Sequence, residues 1–322
     1  MRAVQFDRHG GPEVLKVVDA PIPDAGPGMV RVKMAAAGIN FIDIYQRSGQ
    51  YKTPLPMILG GEGAGVVDAV GLGVSGVKVG DRVASAAIPG AYAEYAVTDA
   101  WRLAHVPDAV DLKVAASAML QGMTAHYLSH STYPLKPGDV ALIYAAAGGV
   151  GGLLVQMAKM LGARTICAVG SYQKALEARE LGADEVILYR QTDIAQEVRR
   201  LTGGKGVNVV YDSVGKDTFN SSLDCLAPRG YLVLYGQSSG KVEPVDPQLL
   251  NAKGSLFLTR PTLGNYIATP EEFHLRASDL LAWIGMHKLK VRTAKTFPLE
   301  QAGEAHTYLA TAQALGKVLL EI

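Results

Sequence analysis

The sequence predicts an α/β protein: a doubly wound parallel sheet joined to a second, antiparallel barrel-like module. Three observations carry this. The chain has 322 residues, more than one ordinary domain. Its first third is strand-rich and punctuated by Pro and Gly. From Leu112 onward, short apolar strands alternate with helices, the pattern of a parallel sheet covered on both faces.

The elements follow in order. VRVKMA (30–35) alternates apolar and polar residues, as a half-buried strand does. GVKVGDRVAS (76–85) and AYAEYAVT (91–98) read as further strands. Residues 114–128 are apolar and helix-compatible, and KPGD (136–139) is a turn. Strands are then expected at 140–145, 165–169, 185–188, 207–212 and 231–235. Helices are expected at 150–161, 173–181, 194–202 and 218–226. GSLFLTR (254–260) adds one more strand. Helices at 271–287 and 300–312 and a terminal strand, LGKVLLEI, close the chain.

Bulk properties narrow the function. Hydrophobic residues make up 48% of the chain, enough for a sizeable core. A net charge of +1 gives no field directed at nucleic acid or an acidic membrane. Cys167 and Cys225 lie far apart in apolar contexts and build neither a disulfide framework nor a zinc site alone. They read as buried free thiols in a cytoplasmic protein. The N-terminus, MRAVQFDRHGG, lacks an apolar signal core. Residues 140–158 form an uncharged run long enough to span a bilayer. Gly148, Gly149, Gly151 and Gly152 split it, so strand, turn and helix explain it better.

That turn, YAAAGGVGG, sits where a dinucleotide fingerprint belongs. Gly148 and Gly151 match its second and third glycines, and Ala146 stands at the first. Gly148, Gly149 and Val150 are the expected pyrophosphate contacts, at a helix N-terminus with free N–H groups and a favourable dipole. The next strand runs into CAVGSYQKA, where NAD-binding folds place a carboxylate for the ribose. Gly170 and Ser171 hold that place, with Lys174 a turn behind. Ser171 and Lys174 suit a 2′-phosphate, and Tyr189 and Arg190 of VILYR border the same pocket. The cofactor expected is therefore NADPH rather than NADH.

Several stretches together carry a resemblance: AAGINFIDIYQRSGQY (36–51), GGEGAGVV (60–67), LQGMTAHYL (120–128), AAAGGVG (145–151), VVYDSVGKDTF (209–219) and GSLFLTRPTL (254–263). Over its full length the chain resembles the zinc-free quinone oxidoreductases of the medium-chain dehydrogenase/reductase superfamily, the group that includes zeta-crystallin, and its bacterial members most. The resemblance implies a GroES-like catalytic domain at 1–123 and 263–322, with a Rossmann NADPH-binding domain at 124–262. It implies NADPH in an interdomain cleft and a homodimer paired through the Rossmann domains. GYLVLYG and the adjoining GSLFLTR would supply the pairing edge. Zinc-dependent relatives carry Cys where this chain reads AAGIN and His where it reads GGE. Here those places hold Gly38 or its neighbours and Gly61, so no metal is expected.

In the family, GINFIDIY lines the nicotinamide end. Asn40 would hydrogen-bond a cofactor or substrate carbonyl, and Tyr45 would form one wall of the quinone pocket and donate from its hydroxyl. Asp43 reads either as a cofactor contact or as a helix cap, and Tyr51 as pocket mouth or core. Thr124 reads as a contact of the carboxamide or as a helix residue bonding its own backbone, and Gly236, Gln237 and Ser238 would line the cofactor after the fifth strand. Arg260 reads as a stabiliser of developing negative charge or as an interface salt bridge. The catalytic candidates are thus Tyr45, Asn40 and Arg260. The expected reaction is hydride transfer from NADPH to a small-molecule quinone, without metal or flavin. Reduction of an enone C=C bond is the enzymatic alternative. An NADPH-binding structural or RNA-binding protein of zeta-crystallin type is the non-enzymatic one, and the absence of a basic stripe speaks against nucleic acid.

Overall fold

The computed structural model describes residues 1–311 and 314–322. The chain divides into two units, Met1–Met123 with Ala268–Ile322, and Thr124–Ile267.

In the second unit, six short, mostly apolar runs become strands, the central four largely buried and the two edge strands partly exposed. They are β1 (Val140–Tyr144), β2 (Arg164–Val169), β3 (Glu185–Leu188), β4 (Val207–Asp212), β5 (Leu226–Leu234) and β6 (Phe257–Thr259). All pair in parallel, in the order β3-β2-β1-β4-β5-β6. Ile143 of β1 stands level with Cys167 of β2 and Tyr211 of β4. The crossovers hold α1 (Gly149–Met160), α2 (Tyr172–Glu180), α3 (Ile194–Leu201) and α4 (Phe219–Cys225). Leu142, Ile166, Val210, Phe219, Leu223 and Leu232 share one core cluster. The strand order reverses between β1 and β4, and sheets of this kind bind ligands at the carboxyl ends of the strands at such a point.

Two expectations shift here. The fifth strand begins at Leu226 instead of 231, because LAPRG is absorbed as an irregularity. Val207 pairs with Leu226, pairing resumes at Val209 with Tyr231, and Arg229 between them takes a left-handed φ of 63°. The unit also runs on to Ile267, beyond the expected boundary at 262. Tyr266 is the reason: its ring stacks on Tyr127 at 4.2 Å, and its hydroxyl accepts from Thr132 Oγ1 at 3.0 Å.

The first unit is organised by the long strand Met29–Ile39. Its first half pairs with Tyr95–Asp99 and its second half with the C-terminal strand Lys317–Glu321. Its other edge pairs with Glu62–Val70. Arg82–Ser85 and Ala104–His105 continue the sheet on one side, and Thr293–Pro298 adds a parallel strand on the other. A second sheet joins Lys16–Asp19, Arg2–Phe6 and Met57–Ile58. Val30, Val32, Val67, Leu103, Val318 and Leu320 meet in its core.

The expected strands at 76–85 and 91–98 are shorter in fact. Gly76 and Gly80 have φ of +79° and +92°, which turns the first half of GVKVGDRVAS into a loop. Ala91–Glu94 is likewise outside the strand, and from it Tyr92 enters the core with no exposed surface. The last helix is Ala302–Ala310; Ala312, the end expected for it, lies outside the described residues.

Candidate cofactor and active site

The glycine turn of the second unit begins at the end of β1. Ala145 adopts φ 50°, and Gly148 N donates to Ala145 O at 2.8 Å, closing the turn. A left-handed Ala costs about 1–2 kcal/mol relative to Gly, so the strain lies one residue before the fingerprint's missing first glycine. A Cβ on Gly151 would stand 2.3 Å from Ala145 O and 3.0 Å from Ala146 Cα. Glycine there lets α1 press against the turn. Gly148 is the N-cap, with no side chain to occupy the first-turn amides and no acidic residue in that turn. Gly149 and Val150 therefore present an uncapped helix N-terminus, a ready seat for a pyrophosphate.

The ends of β2 and β3 form the second part. Gly170 leaves space that Arg190 takes up: a Cβ there would lie 3.4 Å from Arg190 Nε. Ser171 is the N-cap of α2, and its hydroxyl oxygen accepts from Lys174 N at 3.4 Å. This leaves the hydroxyl proton able to donate outward. Burial, and then the charge of Arg190, lowers the pKa of the Lys174 ammonium below the usual Lys value. Two cations thus converge where NAD-specific folds keep a carboxylate. The Tyr189 ring rests edge-on against Tyr144 at 5.7 Å, and its amide donates to Val169 O at 3.3 Å.

On the other side of β1, Gly236 and Ser238 donate their amides to Asp212 O and Ser213 O, at 3.3 and 3.2 Å. A Cβ on Gly236 would meet Ser213 O at 2.5 Å, and a Cβ on Gly215 would meet Gln237 Cα at 3.0 Å. Residues 236–238 are thus moulded on the loop after β4. Thr124 is buried at the start of this unit. Arg260 follows β6, is exposed, and donates from Nη1 to Pro261 O at 3.1 Å.

The first unit bears on Asn40 and Asp43. Asn40 is buried, and its Nδ2 donates to Glu62 Oε2 at 2.9 Å and Gly38 O at 3.2 Å. Both Nδ2 protons are thus engaged within the unit. Its Oδ1 accepts from Lys317 Nζ at 2.6 Å, and Lys317 also donates to Glu62 Oε2. Leu120 N donates to the other carboxylate oxygen, Glu62 Oε1, at 2.7 Å. Gly38 makes the room: a Cβ there would lie 2.6 Å from Lys317 Cε. The side chains of Glu62 and Lys317 are both fully buried.

Asp43 takes the helix-cap position, one of its two readings. Its Oδ2 accepts from Asn40 N at 2.7 Å, closing a capping box at the start of helix Phe41–Ser48. The Tyr92 hydroxyl donates to the same oxygen at 2.9 Å. His306 Nε2 lies 3.3 Å from that hydroxyl, and Arg47 Nη1 lies 3.4 Å from His306 Nδ1. The donor order Arg47, His306, Tyr92, Asp43 requires a neutral imidazole protonated on Nε2. Burial, then the Arg47 charge, holds His306 down to about 3. Burial raises Asp43 to about 6 against its hydrogen bonds. Tyr45, on the same helix, is half-buried with its ring 6.2 Å from Phe41 and 5.4 Å from Tyr51. Sequence reasoning missed Glu62, Tyr92, Lys317 and Asp212; a carboxylate or lysine inside an apolar run was the available signal.

The family described as alcohol dehydrogenase GroES-like domain matches residues 26–108, and that described as zinc-binding dehydrogenase matches 149–283. A quinone oxidoreductase of Pseudomonas aeruginosa is 48% identical over 321 residues, covering 99% of either chain. The chain belongs to the quinone oxidoreductase family. It is thereby a medium-chain dehydrogenase/reductase. Escherichia coli quinone oxidoreductase, solved in complex with NADPH, superposes with a TM-score of 0.98 at 44% identity, covering 100% of both chains. A 2-haloacrylate reductase from Burkholderia sp. is 42% identical, over 99% of this chain and 98% of its own. In this quinone oxidoreductase family member, no group of three or more His, Cys, Asp or Glu could hold a metal ion, among the described residues. His126 and His130 stack on each other at 4.2 Å. No helix is long and apolar enough to cross a membrane, among the described residues.

Proposed function

We infer that this chain is an NADPH-dependent quinone reductase that works without metal or flavin. The observation that carries the reading is the pair of cations, Lys174 and Arg190, at the β2–β3 end, with Gly170 and Ser171 where a carboxylate would repel a 2′-phosphate. The first-turn amides of α1 hold the pyrophosphate. Gly236, Gln237, Ser238 and Thr124 line the nicotinamide half. Bound there, NADPH supplies the hydride. The protein's work is alignment of donor and acceptor at near-attack distance. Tyr45 is the donor we assign to the quinone oxygen that gains charge, with Arg260 as the second candidate. Asn40 and Asp43 serve by shaping the segment that carries Tyr45. The reduced oxygen can take its proton from water, so no side chain is required as general acid.

The test is steady-state NADPH oxidation by purified protein with 1,4-benzoquinone, 2-chloroacrylate and an enone, and with NADH in parallel. Faster turnover with the quinone and with NADPH is expected. Preference for the unsaturated acid, which the 42% identity to the Burkholderia enzyme favours as second reading, overturns the substrate assignment. NADPH binding without oxidation by any acceptor would move the chain to the structural class.

We also propose that two copies pair through β6. Among the described residues this strand pairs with β5 alone, and Phe257, stacked on Tyr231 at 4.5 Å, is 49% exposed. An exposed apolar strand edge invites a second copy. Light scattering should give a dimer mass, and a Phe257→Lys variant should shift it toward monomer; a monomeric wild type refutes this. With both thiols buried, we place the protein in the cytoplasm.

A further inference from the structure

The sheet order puts β2 and β3 on one side of β1, and β4 and β5 on the other. A dinucleotide with its pyrophosphate at the β1 turn therefore sends its two halves to opposite sides. The adenosine half lies toward Lys174 and Arg190. The nicotinamide half lies toward the loops after β4 and β5. What holds those loops in shape is one buried carboxylate.

Asp212 closes β4 and has no exposed surface. Its Oδ1 accepts from Val214 N at 2.8 Å and Gly215 N at 3.1 Å. Its Oδ2 accepts from Thr218 Oγ1 and Ser222 Oγ, both at 2.7 Å. The two amides belong to the loop after β4, and the two hydroxyls to the cap and first turn of α4. That loop in turn templates the next. Ser239 N and its hydroxyl both donate to Val214 O at 2.8 Å, and Asp217 N donates to Ser239 Oγ at 3.0 Å. Lys216 N donates to Gly240 O at 3.2 Å, and Gly215, at φ +93°, packs against the backbone of Gln237. No ion pair to Asp212 is formed among the described residues within 4.0 Å; hydrogen bonds alone sustain it. Burial raises its pKa above the ordinary Asp value against four hydrogen-bond causes. A carboxylate retained at that disadvantage is built for position, since a core needs none there.

We infer that Asp212 is a positioning residue for the nicotinamide half of the cofactor, acting through residues 236–238. The inference rests on the cofactor reading above. It separates the two halves of the ligand: Asp212 should matter to NADPH and not to 2′,5′-ADP, which carries only the adenosine half with its phosphates. Asp212→Asn retains Oδ1 for the two amides, and its amide nitrogen can donate to the two hydroxyls. Asp212→Ala leaves four buried donors without their acceptor.

The experiment is calorimetric titration of wild type, Asp212→Asn, Asp212→Ala and Ser222→Ala with NADPH and with 2′,5′-ADP. Asp212→Ala should weaken NADPH at least tenfold and 2′,5′-ADP less than twofold, and Asp212→Asn should stay within threefold of wild type for both. Ser222→Ala, which removes a single donor and keeps the carboxylate, should lower NADPH affinity in the same selective sense if Asp212→Ala fails to fold. Equal weakening of both ligands, or no selective loss in any variant, overturns the inference. A wild type that binds 2′,5′-ADP and NADPH no better than NADH overturns the cofactor reading beneath it.

Discussion

Removing one cation from the adenosine pocket should convert this protein from an NADPH binder to one that barely distinguishes the two cofactors. Lys174 is half-buried, on the first turn of α2, and feels the Arg190 charge. Two like charges held together are costly until an anion arrives between them. A charge-assisted hydrogen bond contributes about 1.5–3 kcal/mol, which is roughly a ten- to 150-fold change in affinity. Because Lys174 is partly solvated, the lower end applies, and Lys174→Ala should weaken NADPH about tenfold. NADH, lacking the phosphate, should change less than twofold. Added salt should shrink the preference of the wild type modestly, since Lys174 is only half-buried and counterions compete with the phosphate for it. The assay is fluorescence titration of both cofactors at low and moderate salt. Equal loss for NADH and NADPH, or a wild-type preference that salt leaves untouched, would show that the pocket selects by shape and not by charge.

Three further outcomes are expected. Lys317→Met should destabilise the protein by about 3–5 kcal/mol in urea unfolding, because it strands the Glu62 carboxylate in the core. Adding Glu62→Gln should recover part of that, and a single-variant loss below about 1 kcal/mol would deny the pair its role. Asp43, raised to about 6 from an ordinary 3.8, contributes stability that is full below the lower value and lost as pH rises through the higher. Asp43→Asn should therefore gain on wild type between those limits, by at most about 1.4 kcal/mol per pH unit; parallel pH curves would contradict this. His306, lowered from 6.5 to about 3, works oppositely: its contribution is present above 6.5 and lost on acidification, so it opposes the Asp43 trend in wild type. Finally, chelator treatment should leave the quinone reductase rate unchanged, and a rate abolished by chelation and restored by zinc would refute the metal-free reading.

The parallel sheet was legible because its strands are short apolar runs, with Gly170 after β2, Asp212 closing β4 and Gly236 just past β5; run length and these breakers separate them from helices. The first unit was less so. GVKVGDRVAS alternates as a strand does, yet two left-handed glycines bend its first half into a loop. The chemistry around Asn40 and Asp43 was half visible. The residue types were readable; their direction was not, because it depends on a lysine 277 positions away and a histidine beyond Tyr92 by 214. No local pattern encodes contacts of that span. The cations proposed for the adenosine half, Lys174 and Arg190, by contrast lie just beyond the ends of adjacent strands, within reach of a local reading.

The discontinuity of the first unit orders events on the ribosome. Residues 124–267 contain every strand of their own sheet, so that unit can close while the remaining chain is still being made. The N-terminal unit, though synthesised earlier, must wait. Met29–Ile39 keeps half of one edge unpaired until Lys317–Glu321 emerges, and Asn40 and Glu62 have no ammonium between them until then. A nascent chain halted before Lys317 thus carries a finished cofactor-binding half beside an open, hydrogen-bond-hungry sheet, which makes it a natural client for chaperones and proteases.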